Sequence, residues 1–241
     1  MEAIRWDGEA LHLLDQRALP ARHNWLRLCT WHEVAQAITE MVVRGAPAIG
    51  ISAAYGLVLA VRAGADRQAA RATLLAARPT AVNLRWALER MDDVPADLLE
   101  QEAIRIHEED RSVCQRLGAH GAALLDGGVL TICNTGALAT GGHGTALGMV
   151  RSAIGTGRSI HVYALETRPY LQGARDVWEW ADTRSLGASL AFRSARCHVG
   201  SHAVAAHLQK ESVRRRVENP QTPGRQTAAA PCGTSGTSKV F

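Results

Sequence analysis

The sequence predicts an α/β chain: a helical first part that leads into an incomplete parallel-sheet unit. Val129-Leu130-Thr131-Ile132 is a short β-favouring run, and the polar, glycine-rich stretch from Cys133 to Gly148 reads as a strand-to-helix turn opening a helix around Thr145. Arg158 to Leu165 is a second such run, so strand, helix and strand fall within about 35 residues, the length of a right-handed βαβ unit. Before it, residues 30 to 120 carry helical periodicity. Beyond residue 182 the composition turns to Arg, Ser, Ala, Gly and Thr, with no strand-length apolar run after Ala188 to Phe192. The expected organisation is a helical domain with a short N-terminal hairpin over 1–120, a partial sheet domain over 121–181 and an aberrant, disordered tail over 182–241.

Composition bounds the class. A hydrophobic fraction of 46% over 241 residues is enough for a real core. No apolar run approaches the roughly 20 residues of a membrane span, and Met1-Glu2-Ala3-Ile4-Arg5-Trp6 has no signal-like core, so a cytoplasmic location with no membrane partner is expected. The five cysteines are odd in number, widely spaced and never in a C-x-x-C pair, which argues against a disulfide framework and against a zinc or other metal site. The net charge of +4 is not a nucleic-acid signal: residues 182–241 hold 9 Lys+Arg against 3 Asp+Glu, whereas 1–181 hold 18 against 20.

In chain order, Ala3 to Asp15 reads as a hairpin about an Asp7-Gly8 turn, broken by Leu19-Pro20. Thr30 is an N-cap with Glu33 three residues on, as in a capping box. Val34, Ala37, Ile38, Met41 and Val42 share one face of a helix predicted to end near Arg44-Gly45. Ala46 to Ala60 is apolar all round with Pro47 in its first turn, a helix to be buried among others. After Arg78-Pro79 comes another, with Leu84, Trp86, Ala87, Leu88 and Met91. Residues 94–120 give a further helical region with Ala96, Leu98, Leu99, Ala103, Ile104 and Ile106 inward, and Glu102, Glu108, Glu109 and Asp110 on a solvated face. His107 is expected at the surface, and His143 in a loop.

Three features suggest chemistry. Cys133 sits where a sheet strand ends, the edge at which open α/β sheets bind ligands, and the helix after it offers N–H groups to an anion. A lone cysteine there is more often a small buried hydrophobe. Arg44 stands before Gly45 and the Pro47 helix: it either closes the preceding helix through its dipole or forms an anion site with the free N–H groups. Arg78 repeats the arrangement before a second proline-started helix. Gly142-x-Gly144-x-x-x-Gly148 is a weak dinucleotide pattern, and Arg214-Arg215-Arg216 reads as a solvated charge run.

Four blocks together carry a resemblance. Val43 to Gly50, Ala77 to Leu84, Cys133 to Thr140 and Glu166 to Arg175 resemble, in order and spacing over roughly residues 1–175, the signature blocks of the methylthioribose-1-phosphate isomerases. The same superfamily holds ribose-1,5-bisphosphate isomerases and the regulatory subunits of the initiation factor 2B complex, which are the competing readings. The resemblance implies a helical domain on a Rossmann-like domain and a homodimer. It also implies cofactor-free conversion of a small-molecule sugar phosphate, the methylthioribose 1-phosphate, to the 1-phosphate ketose of methionine salvage. It places substrate binding on Arg44, Gly45, Ala46, Arg78 and Gln172, and a catalytic role on Cys133.

After Arg175 the resemblance stops. The helix, further strands, Gly-Ala-Asp-Arg block with its catalytic aspartate and Asn-Lys pair of that family are not expected in the remaining sequence, and Asp176 and Asp182 stand in the wrong context to replace the aspartate. A reading-frame shift or broken gene is the hypothesis, and translation of the neighbouring frames tests it. The expectation for the chain is little or no isomerase activity, bare sheet edges and aggregation of the half-domain beside a compact helical part.

Overall fold

A computed structural model describes residues 1–167, 170–182, 193–196 and 239–240. β1 (Ile4–Trp6) and β2 (Leu11–Leu14) form the expected hairpin, with Ile4 opposite Leu13 and Trp6 opposite Leu11. The Asp7 carboxylate accepts the N–H groups of Glu9 and Ala10 at 2.8 and 2.7 Å, and Gly8 takes the positive φ of 93° that the turn demands. A third antiparallel strand, β3 (Trp25–Leu28), extends the sheet beyond the expectation. Its four residues were too short a run to declare themselves.

α1 (Trp31–Thr39) starts with the full capping box, in which Glu33 N–H donates to Thr30 Oγ1 and Glu33 Oε2 accepts Thr30 N–H. It ends at Thr39 rather than near Arg44, because Met41 turns to a φ of 60°. α2 (Ala46–Arg62) is the axis of the helical part, buried at every residue from Ala48 to Ala60 as its all-round apolar sequence requires. Packed about it are α3 (Arg67–Ala77), α4 (Val82–Met91) and α5 (Leu99–Ala122). α3 was not foreseen; it buries only Ala70 and Leu74.

Several assignments on α5 are corrected. His107, expected at the surface, is buried between the Tyr55 hydroxyl at 3.2 Å and the Gly141 carbonyl at 3.1 Å, which satisfy both ring nitrogens. Glu102, expected to be solvated, is buried because Arg90 and Arg105 both donate to it. Ala96, Leu98 and Ile104, assigned to the core, are exposed. α5 is covered on two sides, by α2 and by the sheet unit, so one apolar stripe does not describe it.

β4 (Gly127–Ile132), α6 (Ala146–Gly155) and β5 (Ile160–Glu166) form the expected parallel unit, with Gly127 beside Ile160 and Ile132 beside Leu165. α7 (Gln172–Asp182) follows, a helix where none was expected after the fourth block. β6 (Arg193–Arg196) pairs parallel with β5 and β7 (Lys239–Val240) with β4, giving the order β6-β5-β4-β7. The predicted bare edges therefore do not hold at these registers. The remainder of the expectation for 182–241 lies outside the described residues. Two apolar clusters result, one around α2 with β1 and β2, the other between β4, β5 and α6. Among the described residues no helix is long and apolar enough to cross a membrane.

Candidate functional site

Cys133 directly follows β4, exposed, with a φ of 74°, in the left-handed region that costs a non-glycine residue. The chain after it makes a 3₁₀ turn at Ala137–Ala139 and reaches α6 through His143 and Gly144, both also at positive φ. His143 is the loop residue expected, its Nε2 3.2 Å from Ser152 Oγ. Two N–H groups at the start of α6 are already taken: the Thr135 carbonyl accepts Thr145 N–H at 2.9 Å and Leu147 N–H at 3.4 Å. The loop folds back and caps its own helix.

α7 holds this loop with two carboxylates one turn apart. Asp176 accepts Thr135 N–H at 3.1 Å and the Thr135 hydroxyl at 2.7 Å; Glu179 accepts the N–H groups of Ala137 and Leu138 at 2.6 and 3.2 Å and pairs with Arg151. Both are completely enclosed. Burial pushes the Asp176 carboxyl up to about 7, against the Thr135 hydrogen bonds, which favour its charged form. The enclosure also bears on its role. Asp176 was set aside as unable to replace a catalytic aspartate; its carboxyl is enclosed and holds the loop through Thr135.

Arg44 lies at the other side of the loop. Gly45 follows it at a φ of 102°, and a Cβ there would stand 2.4 Å from the Ala139 Cα, so the start of α2 is pressed against the 3₁₀ turn of the cysteine loop. Gly45 has no side chain to cap α2. Arg44 is 9% exposed; its guanidinium stacks 4.6 Å from the centre of the Tyr170 ring and donates weakly, at 3.5 Å, to the Tyr170 carbonyl. Burial first, then the charge of Arg78, pushes its pKa below the ordinary guanidinium range. Arg175 donates its Nε to the same carbonyl at 3.3 Å and its Nη1 to the Gln16 carbonyl at 2.5 Å. Burial and the Arg44 charge lower Arg175 to about 10.

A cavity of about 660 Å³ opens here, with Arg44, Arg175 and Arg17 among its walls and Leu19, Met41 and Trp178 as apolar lining. Arg17 is already neutralised by Asp15 and Glu40. A second cavity, of about 480 Å³, lies beyond the first turn of α2, against Pro47, Gly50, Asn83 and Asp110.

The structure thus joins some of the anticipated residues. Arg44, Gly45 and the exposed Ala46 form the start of α2, and half-buried Arg78 ends α3 within electrostatic range of Arg44. Gln172 opens α7, where its Oε1 accepts the Thr167 hydroxyl at 2.8 Å; this contact leaves the amide nitrogen for other partners. Cys133, Arg78 and Gln172 do not line either cavity. Reasoning from sequence gave Arg175 and Glu179 no role and weighed Asp176 only as a substitute for the missing aspartate. The available signal was their spacing: 172, 176 and 179 fall on one side of a helix, with 175 beside them.

Comparison with known proteins places these features in context. The profile of the initiation factor 2 subunit family matches residues 42–187. A methylthioribose-1-phosphate isomerase of Alkalilimnicola ehrlichii is 56% identical over 199 residues, covering 74% of this chain and 57% of that protein. One of Pseudomonas fluorescens is 50% identical over 223 residues, covering 83% and 62%. Among solved structures, 5-methylthioribose 1-phosphate isomerase of Pyrococcus horikoshii superposes with a TM-score of 0.75 at 33% identity, over 88% of this chain and 63% of that one. The initiation factor eIF-2B subunit delta of A. fulgidus gives 0.67 at 37%, over 80% and 62%. The chain spans little more than half the length of the isomerases it matches.

Proposed function

Because the chain belongs to the initiation factor 2 subunit family, and its relatives at 50% to 56% identity are methylthioribose-1-phosphate isomerases, we propose that it carries the substrate site of an aldose–ketose isomerase acting on 5-methylthioribose 1-phosphate, with little or no turnover expected where the aspartate block is missing. The observation that carries the reading is Arg44: a residue nine-tenths buried, with no carboxylate partner among the described residues, set at an uncapped helix start beside Gly45, which presses against the loop of Cys133. Such a group binds an anion better than it closes a helix. Arg78 adds charge from α3, and Ala46 offers backbone at the first turn.

The reaction opens a furanose whose anomeric oxygen carries phosphate and then moves hydrogen between C2 and C1. It requires no cofactor. In this reading the arginines hold the phosphate, Gln172 orients the sugar hydroxyls, and the Cys133 thiol works at the reacting carbons. The loop that carries Cys133 is fixed by α7 and by α2, so the thiol is placed before substrate arrives. The helical part over 1–120 and the sheet part over 121–181 are read as two domains meeting at this site. The resemblance adds a cytoplasmic homodimer with no nucleic-acid or membrane partner.

Calorimetric titration of the chain with the sugar phosphate tests the proposal. Arg44→Ala or Arg78→Ala should each weaken binding about 10- to 100-fold, the effect of removing one charge-assisted donor. Unchanged affinity in both variants removes the anion site, and a chain that ignores the sugar phosphate altogether favours the regulatory-subunit reading.

A further inference from the structure

We infer that Arg175 is a third guanidinium for the same phosphoryl dianion, so that the bound anion bridges the start of α2 and the helix α7. The ligand class rests on the sugar-phosphate reading; the bridge rests on geometry. Arg44 Nη1 and Arg175 Nε converge on one acceptor, the Tyr170 carbonyl, at 3.5 and 3.3 Å, and both side chains line the 660 Å³ cavity. A single neutral oxygen does not compensate two partly desolvated cations. Among the described residues neither has a carboxylate partner. The nearest anion to Arg175, Asp15, is engaged by Arg17 through two bonds of 2.9 Å.

The contrast with Arg17 is informative. It lines the same cavity and is neutralised by Asp15 and Glu40, so the fold pairs an arginine where pairing serves it. Arg44 and Arg175 are instead held by ring and carbonyl contacts that aim them without satisfying their charge. A guanidinium has five N–H donors. Arg175 commits two nitrogens and Arg44 one, so donors remain on both for the oxygens of a phosphate. Leu19, Met41 and Trp178 give the cavity apolar walls beside these donors, and charge-assisted bonds are stronger against such walls than in open water. A dianion bound here cancels the repulsion between the two groups and fixes α7, whose Asp176 and Glu179 hold the cysteine loop.

Two measurements on the full chain test the bridge. In calorimetry with inorganic phosphate and, separately, with methylthioribose 1-phosphate, Arg175→Gln should raise the dissociation constant about 10- to 100-fold, with partial recovery in Arg175→Lys. Affinity retained in Arg175→Gln overturns the proposal, as does failure of the unaltered chain to bind either anion. The second measurement needs no variant: phosphate should slow amide exchange in α7 as well as in the first turns of α2. Slowing confined to α2 overturns the bridge even if Arg175→Gln misfolds. Loss of sugar-phosphate binding in Arg44→Ala but not Arg175→Gln leaves the isomerase reading standing without the bridge. Binding of inorganic phosphate that weakens in Arg175→Gln, with no binding of the sugar phosphate, leaves the bridge standing without that reading.

Discussion

Asp176 shows how one side chain can give the fold a pH dependence that is opposite to that of most carboxylates. Enclosed beneath Thr135, its carboxyl is raised from 3.8 to about 7, so between those values the folded chain holds a proton that the unfolded chain has released. Stability from this group is complete below the unfolded value and is lost as pH rises towards 7 and beyond, by an amount on the order of a few kcal/mol. His107 acts in the other direction. Burial lowers its pKa, so its contribution is complete above its unfolded value and falls as pH drops through 6.5. The two slopes partly cancel in urea midpoints measured from pH 5 to 8. Asp176→Asn keeps the size and an acceptor for Thr135 N–H but does not titrate, so it should gain stability relative to the parent across that range. Parallel pH curves for the two proteins would show that Asp176 is ionised throughout. Little of this was visible in the sequence, where Asp176 was one polar residue after an arginine. Its burial comes from α7 packing on β5 and over the loop after β4, a tertiary event.

At the scale of elements, the start of α2 is where local and long-range demands coincide. Gly45 must adopt a φ of 102°, and any Cβ would also meet Ala139. Gly45→Ala should therefore destabilise the chain by about 1–3 kcal/mol from backbone strain alone, with the steric clash added, and should displace Ala137–Ala139. Urea unfolding checks the first expectation. A loss below about 0.5 kcal/mol would mean that α2 and the cysteine loop separate freely. The sequence disclosed the elements with strong local signals: the Asp7-Gly8 turn, the Thr30 capping box, the all-apolar α2 and the β4-α6-β5 unit. It hid those whose signal is weak or shared. β3 is four residues without β-branching, α3 is mostly exposed, and α5 is buried along two faces, so that His107 and Glu102 lie inside through partners 52 and 12 residues away. The site divided likewise. Residues within the four blocks were legible, whereas the contacts from α7 depend on how that helix docks.

At the scale of the molecule, two unequal cores are joined at the cysteine loop. Among the described residues the cluster around α2 contains thirty-one buried apolar residues and the one between β4, β5 and α6 contains ten. Leu138 is counted in the larger cluster although its loop grows from β4, and the Gln16 side chain donates to the Leu138 carbonyl at 2.8 Å. His107 and Asp110 hold Gly141 from α5 in the same way. Cooperative units open with free energies that follow their buried contacts, so the smaller core should open first. Amide exchange in the chain without ligand is expected to be slowest in α2, near the global limit, and faster by at least about tenfold in β4 and β5. The loop from Thr135 to Gly141 should exchange with neither limit. Its N–H groups are held by α7 and α5, and it is released only when one of the two withdraws. Equal protection in α2 and β4 would show instead that the loop couples the cores into one unit, and the cysteine would then be as rigidly placed as the helix that faces it.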